Sequence, residues 1–519
     1  MGPLLSKRGF GFKSRLTGII LFLRRSRETC RRRWRQLREE LNETRRDLAR
    51  KERECQRQDE EIAALRRENE LLRIKEETAR KEARPQLPED PSVGVHGYGA
   101  RMVSLAVNLA RDVGFRGAER AINTFFDWLG IEEKVPKYTT IQCWMQRIGV
   151  ALLKEPVEQA DDWVWIVDHS NQIGPEKALV ILGIRASKLP PPGTPLKHED
   201  VRLLLVKPGT GWTTEKMTEI YEELAERCGY PRAILSDGAR ELQNGVEPLK
   251  NKRCDVISLR DFKHKAANLL KAALEKDERF SEFLRWLATT RSRILQTELA
   301  FLLPPSPKQK ARYMNLGNIL KWTELALWLL DHPDSIAAWV TPERLEEKLG
   351  GLRQFAADLA EWREYQHIVD AGVKLIGGHG LFHGAAEMLR TAMEPQATYE
   401  SSKRLSEELI EFVADSERHL KPGERLPMST EIIESCFGLY KQLERQHSKG
   451  GFTGLLAAFG ALLGEITPET VRRAFKQVST KDAKQWVRDN LGETLTSKRQ
   501  TVLRDFRHAQ IATLLATTG

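Results

Sequence analysis

The sequence predicts an α/β protein: a five-stranded mixed sheet interrupted by a long all-α insertion, preceded by a coiled coil and a small helical domain. Between residues 160 and 268, short apolar runs and segments of helical period follow one another as β-β-β-α-β-α-β. After Phe262 the chain becomes Leu-, Ala- and Trp-rich with helical spacing for about 160 residues. Residues 27–84 are rich in Arg, Glu and Leu and contain neither Gly nor Pro, and Pro85 follows them.

The first element is a basic arm, residues 1–26. The 519 residues carry 83 Lys and Arg against 73 Asp and Glu, a net charge of +10. Residues 1–38 hold twelve of those cations against one acid, Glu28, a surplus of eleven, so residues 39–519 sum to −1. The charge that suggests nucleic acid is therefore confined to this end. Leu16–Leu23 is apolar throughout, but eight residues are too few for a bilayer, which takes about 20. The following RRSRETCRRR offers no small-residue cleavage site, so no membrane partner is expected and a cytoplasmic, nucleoid-associated protein is. Cys30, Cys55, Cys143, Cys228, Cys254 and Cys436 are scattered without a C-x-x-C pair, which fits a reducing compartment.

Residues 27–84 read as a coiled coil. A heptad register puts Trp34, Leu41, Leu48, Cys55, Ile62 and Asn69 at a, and Leu37, Thr44, Lys51, Gln58, Leu65 and Leu72 at d. Thr44, Lys51 and Gln58 weaken the middle of the seam, while Asn69 at a is a device that fixes register in parallel dimers. A homodimer is expected, with Arg31, Arg32, Arg33 and Arg35 at its head as candidate DNA contacts. A basic arm feeding a zipper also has the layout of a bZIP regulator. Pro85 to Ser92 breaks the helix, and residues 85–97 serve as a linker.

Residues 98–155 predict a small helical domain. Met102–Val113 and Gly117–Leu129 are amphipathic, and Thr139–Gly149 starts on a capping residue with Ile141, Trp144, Met145 and Ile148 at helical spacing. A helix, a turn and a short helix with outward Gln142, Gln146 and Arg147 fit a helix-turn-helix that reads DNA; an ordinary three-helix packing unit fits as well.

The sheet follows. Trp163–Val167, Ala178–Ile184, Val201–Val206, Arg232–Ser236 and Cys254–Leu259 are apolar strands. Thr214–Cys228 carries Ile220, Leu224 and Cys228 on one helical face and stops at Gly229, and a short helix fits Arg240–Lys250. Residues 269–427 form the helical insertion, broken at Pro304–Pro307, His332–Asp334, Gly350–Gly351 and Gly377–Gly380. Residues 428–465 return a helix to the core, and residues 466–519 are a C-terminal helical region.

Asp168 and Asp237 each follow a hydrophobic strand, at the carboxyl ends where open α/β sheets place their ligands. Two carboxylates on adjacent strands repel each other unless a cation lies between them, and their hard oxygens suit Mg²⁺ or Mn²⁺. A two-metal site needs a third carboxylate. Glu434 is the best candidate: Ser429 or Thr430 caps its helix, Ile432, Ile433 and Phe437 bury one side, and Glu434, Gly438, Lys441 and Arg445 share the other. Glu431 competes, although the helix macrodipole alone accounts for an acid in the first turn. His379 and His383, four apart, have in principle a metal-ligand spacing, but their Gly-rich setting argues for a loop. Trp286, Arg291 and Arg293, early in the insertion, are further candidates for DNA contact, Trp286 being more at home in a core.

Asp168, Asp237 and Glu434, on a β-β-β-α-β-α-β core with a helical insertion before the last helix, resemble the DDE transposases of the RNase H-like superfamily. Asp261-Phe-Lys-His264 resembles the [Cys/Asp]-x-x-His signature of Mutator-, hAT- and related transposases, and Glu434-Ser-x-Phe-Gly-x-Tyr-Lys441 is similar to bacterial insertion-sequence transposases. The resemblance spans about residues 100–465; the N-terminal zipper has no counterpart in it. It implies a magnesium-dependent transposase that cleaves strands at transposon ends and joins them to target DNA by in-line transesterification. It further implies that Asp168 bridges two Mg²⁺ ions (or Mn²⁺ in their place) and that Asp237 holds one and Glu434 the other. His264, oriented by Asp261, supports the site or meets the scissile DNA, with a purely structural role for the pair as the alternative, and His169 either meets a phosphate or only packs. A non-catalytic DNA-binding dimer, or an RNase H-like nuclease or resolvase that cuts without joining, remain the alternatives.

Overall fold

A computed structural model describes residues 11–82, 89–94, 97–173, 176–306, 316–446, 454–491 and 495–517. The chain divides into two units, residues 1–88 and 89–519, each described by itself.

The first unit is one helix, α1 (Gly11–Glu82), of 72 residues, about 108 Å long at 1.5 Å per residue. It takes in the apolar run Leu16–Leu23 as well as the heptad segment, since nothing from Gly11 onward breaks a helix until the prolines. Arg31, Arg32, Arg33 and Arg35 are exposed. So are Trp34, Ile62, Leu65 and Leu72, at a and d positions of the expected seam; the side chains of Leu37, Leu41, Thr44, Leu48 and Cys55 lie outside those described, as do residues 1–10 of the arm and 85–88, 95 and 96 of the linker. No helix among the described residues is long and apolar enough to cross a membrane.

In the second unit, α2 (Ala100–Leu129, kinked at Gly114) and α3 (Tyr138–Lys154) precede the sheet. Five strands follow: β1 (Trp163–Ile173), β2 (Glu176–Arg185), β3 (Arg202–Thr210), β4 (Ala233–Ser236) and β5 (Ile257–Arg260), with α4 (Thr214–Cys228), α5 (Arg240–Asn244) and α6 (Glu247–Lys252) between the last three. Their order is β3-β2-β1-β4-β5. β1 pairs antiparallel with β2 and parallel with β4, β2 antiparallel with β3, and β4 parallel with β5. This is the mixed sheet the sequence predicts, with β1 and β3 running several residues further at their carboxyl ends and β5 starting three residues later than expected.

Alternation along β1 explains the layers. Trp163, Trp165 and Val167 face a core closed by Met217, Ile220, Tyr221 and Leu224 of α4 and by Leu242 and Leu249. Val164 and Ile166 face the larger opposite core, which takes in α3, α7 (Phe262–Glu275) and α14 (Glu431–Arg445). The insertion comprises α8 (Glu278–Ile294), α9 (Gly317–Asp331), α10 (Pro342–Leu349), α11 (Ala356–His379), α12 (Ala385–Met393) and α13 (Glu400–Glu417). It is not purely helical: β6 (Leu381–Phe382) and β7 (Arg425–Leu426) form a two-stranded antiparallel pair, too short for periodicity to reveal. After α14 come a 3-10 segment (Gly454–Leu462), α15 (Pro468–Gln477), α16 (Thr480–Leu491) and α17 (Leu495–Thr517).

The α2–α3 region differs from the expected helix-turn-helix. α3 packs against α2, the Gly454–Leu462 segment, α15 and α16. Gly149 permits the approach: a β-carbon there would stand 2.2 Å from the Ala457 carbonyl oxygen. Gln146 Nε2 donates to the Gly454 carbonyl at 2.8 Å. Arg147, 8% exposed, donates from Nη2 to the Phe475 carbonyl at 2.6 Å and from Nε to Val478, with its guanidinium 3.8 Å from the Phe475 ring centroid. Gln142 is half-buried. A helix so enclosed cannot enter a groove, and its polar residues tie it to the C-terminal helices. The outward reading failed because the partner of that face lies more than 300 residues away.

Candidate active site

Val167 is in register with Ser236, the last pair of the parallel ladder, so Asp168, which continues along β1, and Asp237, which leaves β4, follow side by side, about 5 Å apart at the strand spacing. Asp168 follows the alternation of Val164 and Ile166 onto the face covered by α14, which packs against β1. Asp237 Oδ1 accepts from the Ala239 amide at 2.9 Å, turning the chain out of the sheet. The intervening Gly238 has φ +96°, and a β-carbon there would stand 2.8 Å from Arg260 Nε. The guanidinium of Arg260, at the end of β5, therefore lies against Gly238, the residue after Asp237.

Two helix N-termini converge on this edge, and Asp261 joins them. It is 1% exposed. Oδ1 accepts from the backbone amide of His264 at 2.6 Å, capping α7, while Oδ2 accepts from the amide and hydroxyl of Thr430 at 2.5 and 2.9 Å, at the start of α14. The Phe262 amide donates to the Met428 carbonyl at 3.1 Å. Burial opposes ionisation of Asp261, yet these bonds and the one to the His264 ring at 3.2 Å hold its carboxyl below the usual range. Asp261 thus orients His264, as the resemblance implies, and also sets the place of the helix that carries Glu434.

On α14, Ile432, Ile433 and Phe437 are buried, while Glu434, Gly438, Lys441 and Arg445 are exposed on one face. Glu431 and Glu434 both reach Lys263, at 2.9 and 3.4 Å from its Nζ. Beside Glu431 a cavity of about 200 Å³ opens between α11, α14 and the β2–β3 connection, with His198, Arg425 and Ser435 in its wall.

Burial first, and then the nearby charge of Asp237 with a smaller one from Glu434, push the Asp168 carboxyl up to about 7, against a bond from the His169 amide and the charge of His264. The bond to Asp261, and the charges of Asp261, Asp237 and Glu434, raise His264 in spite of its burial. These groups share one electrostatic neighbourhood.

His169 is elsewhere. The pleat turns it to the opposite face, where its ring lies 5.3 Å from that of Trp212 and Nδ1 is 3.9 Å from Glu241. Its buried Nε2 has no partner among the described residues. It packs under the sheet and does not face the acidic group. His379 ends α11 with Nδ1 3.2 Å from the Leu375 carbonyl oxygen, and His383 lies 3.2 Å from that of Lys421; the two are not joined as ligands. Trp286 packs with Phe283, Trp322 and Phe355, and Arg291 bonds the Pro304 carbonyl.

Three carboxylates around an unbalanced negative charge fit a hard divalent cation in chemistry, Asp168 most of all, since a cation would relieve what raises it. As placed, no three His, Cys, Asp or Glu side chains among the described residues gather closely enough to hold one ion. Lys263 and Arg260 are the charged neighbours that sequence reasoning missed. Lys263 lies inside the Asp261–His264 motif, and Arg260 ends β5 level with Ser236, one residue before Asp237.

No family model matches the sequence, and no curated protein matches it. Among solved structures, the Drosophila P element transposase strand transfer complex aligns over 75% of this chain and 94% of the other, at 11% identity and a TM-score of 0.37.

Proposed function

We propose that this protein is a metal-dependent DNA-cleaving and strand-joining enzyme, a DDE-type transposase on an RNase H-like core, with Asp168, Asp237 and Glu434 as its acidic triad. One observation carries the reading. Asp168 and Asp237 each directly follow the last registered pair of adjacent parallel strands, Val167 and Ser236, and Glu434 bears electrostatically on Asp168 from a helix packed over β1.

When bound, Mg²⁺ or Mn²⁺ would activate the attacking oxygen and neutralise charge building on the phosphodiester. Asp168 and Asp237 would hold it from the sheet and Glu434 from the helix. His264, held by Asp261 and 37% exposed, is placed to donate a proton or a hydrogen bond to a phosphate oxygen. Lys441 and Arg445 extend from Glu434 along α14 as backbone contacts. Arg31, Arg32, Arg33 and Arg35 of α1 add sequence-independent attraction to DNA, and the heptad seam of α1 makes the protein a homodimer. It acts in the cytoplasm, on nucleoid DNA.

The test is purified full-length protein with Mg²⁺ and duplexes carrying the sequences that flank its own gene. Cleavage that exposes a 3′-OH, followed by joining to a second duplex, is expected, and Asp168→Asn should abolish both while leaving DNA binding intact. Persistence of cleavage in Asp168→Asn would refute the assignment; cleavage without joining would favour a nuclease, and binding alone a DNA-binding dimer.

A further inference from the structure

Lys263 occupies an electrostatically awkward position. It lies in the first turn of α7, where the helix macrodipole favours anions and opposes a cation. What holds it there is across the gap: Glu431 Oε1 at 2.9 Å and Glu434 Oε2 at 3.4 Å, both in the first turn of α14. The backbone dictates the meeting. Asp261 caps α7 with one oxygen and binds Thr430 with the other, and the Phe262 amide bonds the Met428 carbonyl. With both N-termini fixed, the second residue of α7 and the first and fourth of α14 share one small space.

The three side chains are 32%, 51% and 41% exposed, so water and ions reach them. The contact to Glu431 is the shorter. Lys263 can therefore keep Glu431 and give up Glu434 at the cost of its longer, partly exposed ion pair, a small one.

We propose that Lys263 is a positioning residue that competes with a divalent cation for Glu434: the ammonium anchors on Glu431, and metal binding requires Glu434 to pass from Lys263 to the cation. This rests on the reading of Asp168, Asp237 and Glu434 as metal ligands. It also assigns different work to the two glutamates, Glu434 as ligand and Glu431 as the lysine's anchor.

The experiment is a Mn²⁺ titration of the full chain without DNA, with free Mn²⁺ read by electron paramagnetic resonance. Lys263→Met and Lys263→Arg are compared with wild type, each with Glu434 intact and with Glu434→Gln. Lys263→Met should bind Mn²⁺ about fivefold more tightly than wild type, the equivalent of one exposed ion pair removed. Lys263→Arg, which keeps the competing charge, should stay within about twofold of wild type. In the Glu434→Gln background the gain from Lys263→Met should fall below about twofold, because the contested carboxylate is gone. Equal gains in both backgrounds would overturn the proposal in favour of a long-range charge effect, and so would the absence of any gain. Asp168→Asn separates the two layers: if it leaves Mn²⁺ affinity unchanged, the metal-site reading itself fails. Circular dichroism checks folding, and Lys263→Gln serves as the neutral variant if Lys263→Met does not fold.

Discussion

Replacing Asp168 by Asn should stabilise the protein at neutral and alkaline pH in the absence of metal. The Asp168 carboxyl is pushed up to about 7 by burial and by Asp237, against about 3.9 in an unfolded chain. A raised folded-state value means that the folded chain keeps its proton while the unfolded chain loses it. The contribution to stability is therefore full below about pH 4, declines as pH rises, and is gone above about pH 7. Three units correspond to about 4 kcal/mol at most. Asparagine does not ionise, so relative to wild type the variant should be about equal at pH 4 and more stable by about 2–4 kcal/mol at pH 8. For a unit of about 430 residues, with an unfolding entropy near 0.9 kcal/mol/K, that is a rise in Tm of about 2–4 °C. The assay is thermal unfolding of wild type and variant in EDTA from pH 5 to 8, compared as a difference so that other titrations cancel. Mg²⁺ should then cancel or reverse the difference, since at about a thousand times its Kd it would stabilise wild type by about 4.1 kcal/mol and the variant by much less. A variant no more stable than wild type at pH 8, or a difference that ignores pH, would refute the burial and charge crowding that single out this carboxylate.

Asp261→Asn leaves one oxygen to serve both helix N-termini and turns an amide donor toward another donor. A loss of about 2–4 kcal/mol is expected, read as a lower Tm together with weaker Mn²⁺ binding, because α14 carries Glu434; weaker binding without destabilisation would contradict the clamp. Deleting residues 1–38 removes twelve cations and should lower DNA affinity and flatten its salt dependence. If half of them meet phosphates, the slope of log K against log salt should fall by about five, with Mn²⁺ affinity unchanged. An unaltered slope would place the DNA-binding charge elsewhere.

The strands, their order and both aspartates were legible because each rests on local signals. Val164–Val167 is apolar enough to be a strand buried on both faces, and Asp168 is the first acidic residue along it, although β1 runs on to Ile173. The helix of Glu434 was legible for the same reason: Ile432, Ile433 and Phe437 fix which side is buried, and so which side Glu434 shares with Lys441 and Arg445. What escaped depends on distant partners. His169 looked like a neighbour of Asp168, but the period of two in a strand places adjacent residues on opposite faces, and that alternation was available to read. Arg147 was read as outward because its acceptors, the Phe475 and Val478 carbonyls, lie across the chain. Lys263 was hidden differently, since its role arises only when two helix ends about 170 residues apart are joined through Asp261.

On the proposed function, the enclosure of α3 also changes where DNA would be met. With Gln146 and Arg147 committed to the C-terminal helices, α14 carries exposed cations that lead away from the acidic group along a single face. From Glu434, the helical rise carries Lys441 about 10 Å and Arg445 about 16 Å along one face. Gly438 lies between Glu434 and Lys441 with nothing within 4 Å of where its β-carbon would be. A phosphate backbone laid on that face would be attracted at its far end and repelled at Glu434, where Asp168 and Asp237 add their charges. A cation at the acidic end removes the repulsion and lets the strand lie along the whole face. Metal and DNA binding would then support each other through one helix, whose first turn is fastened to the sheet edge by Asp261.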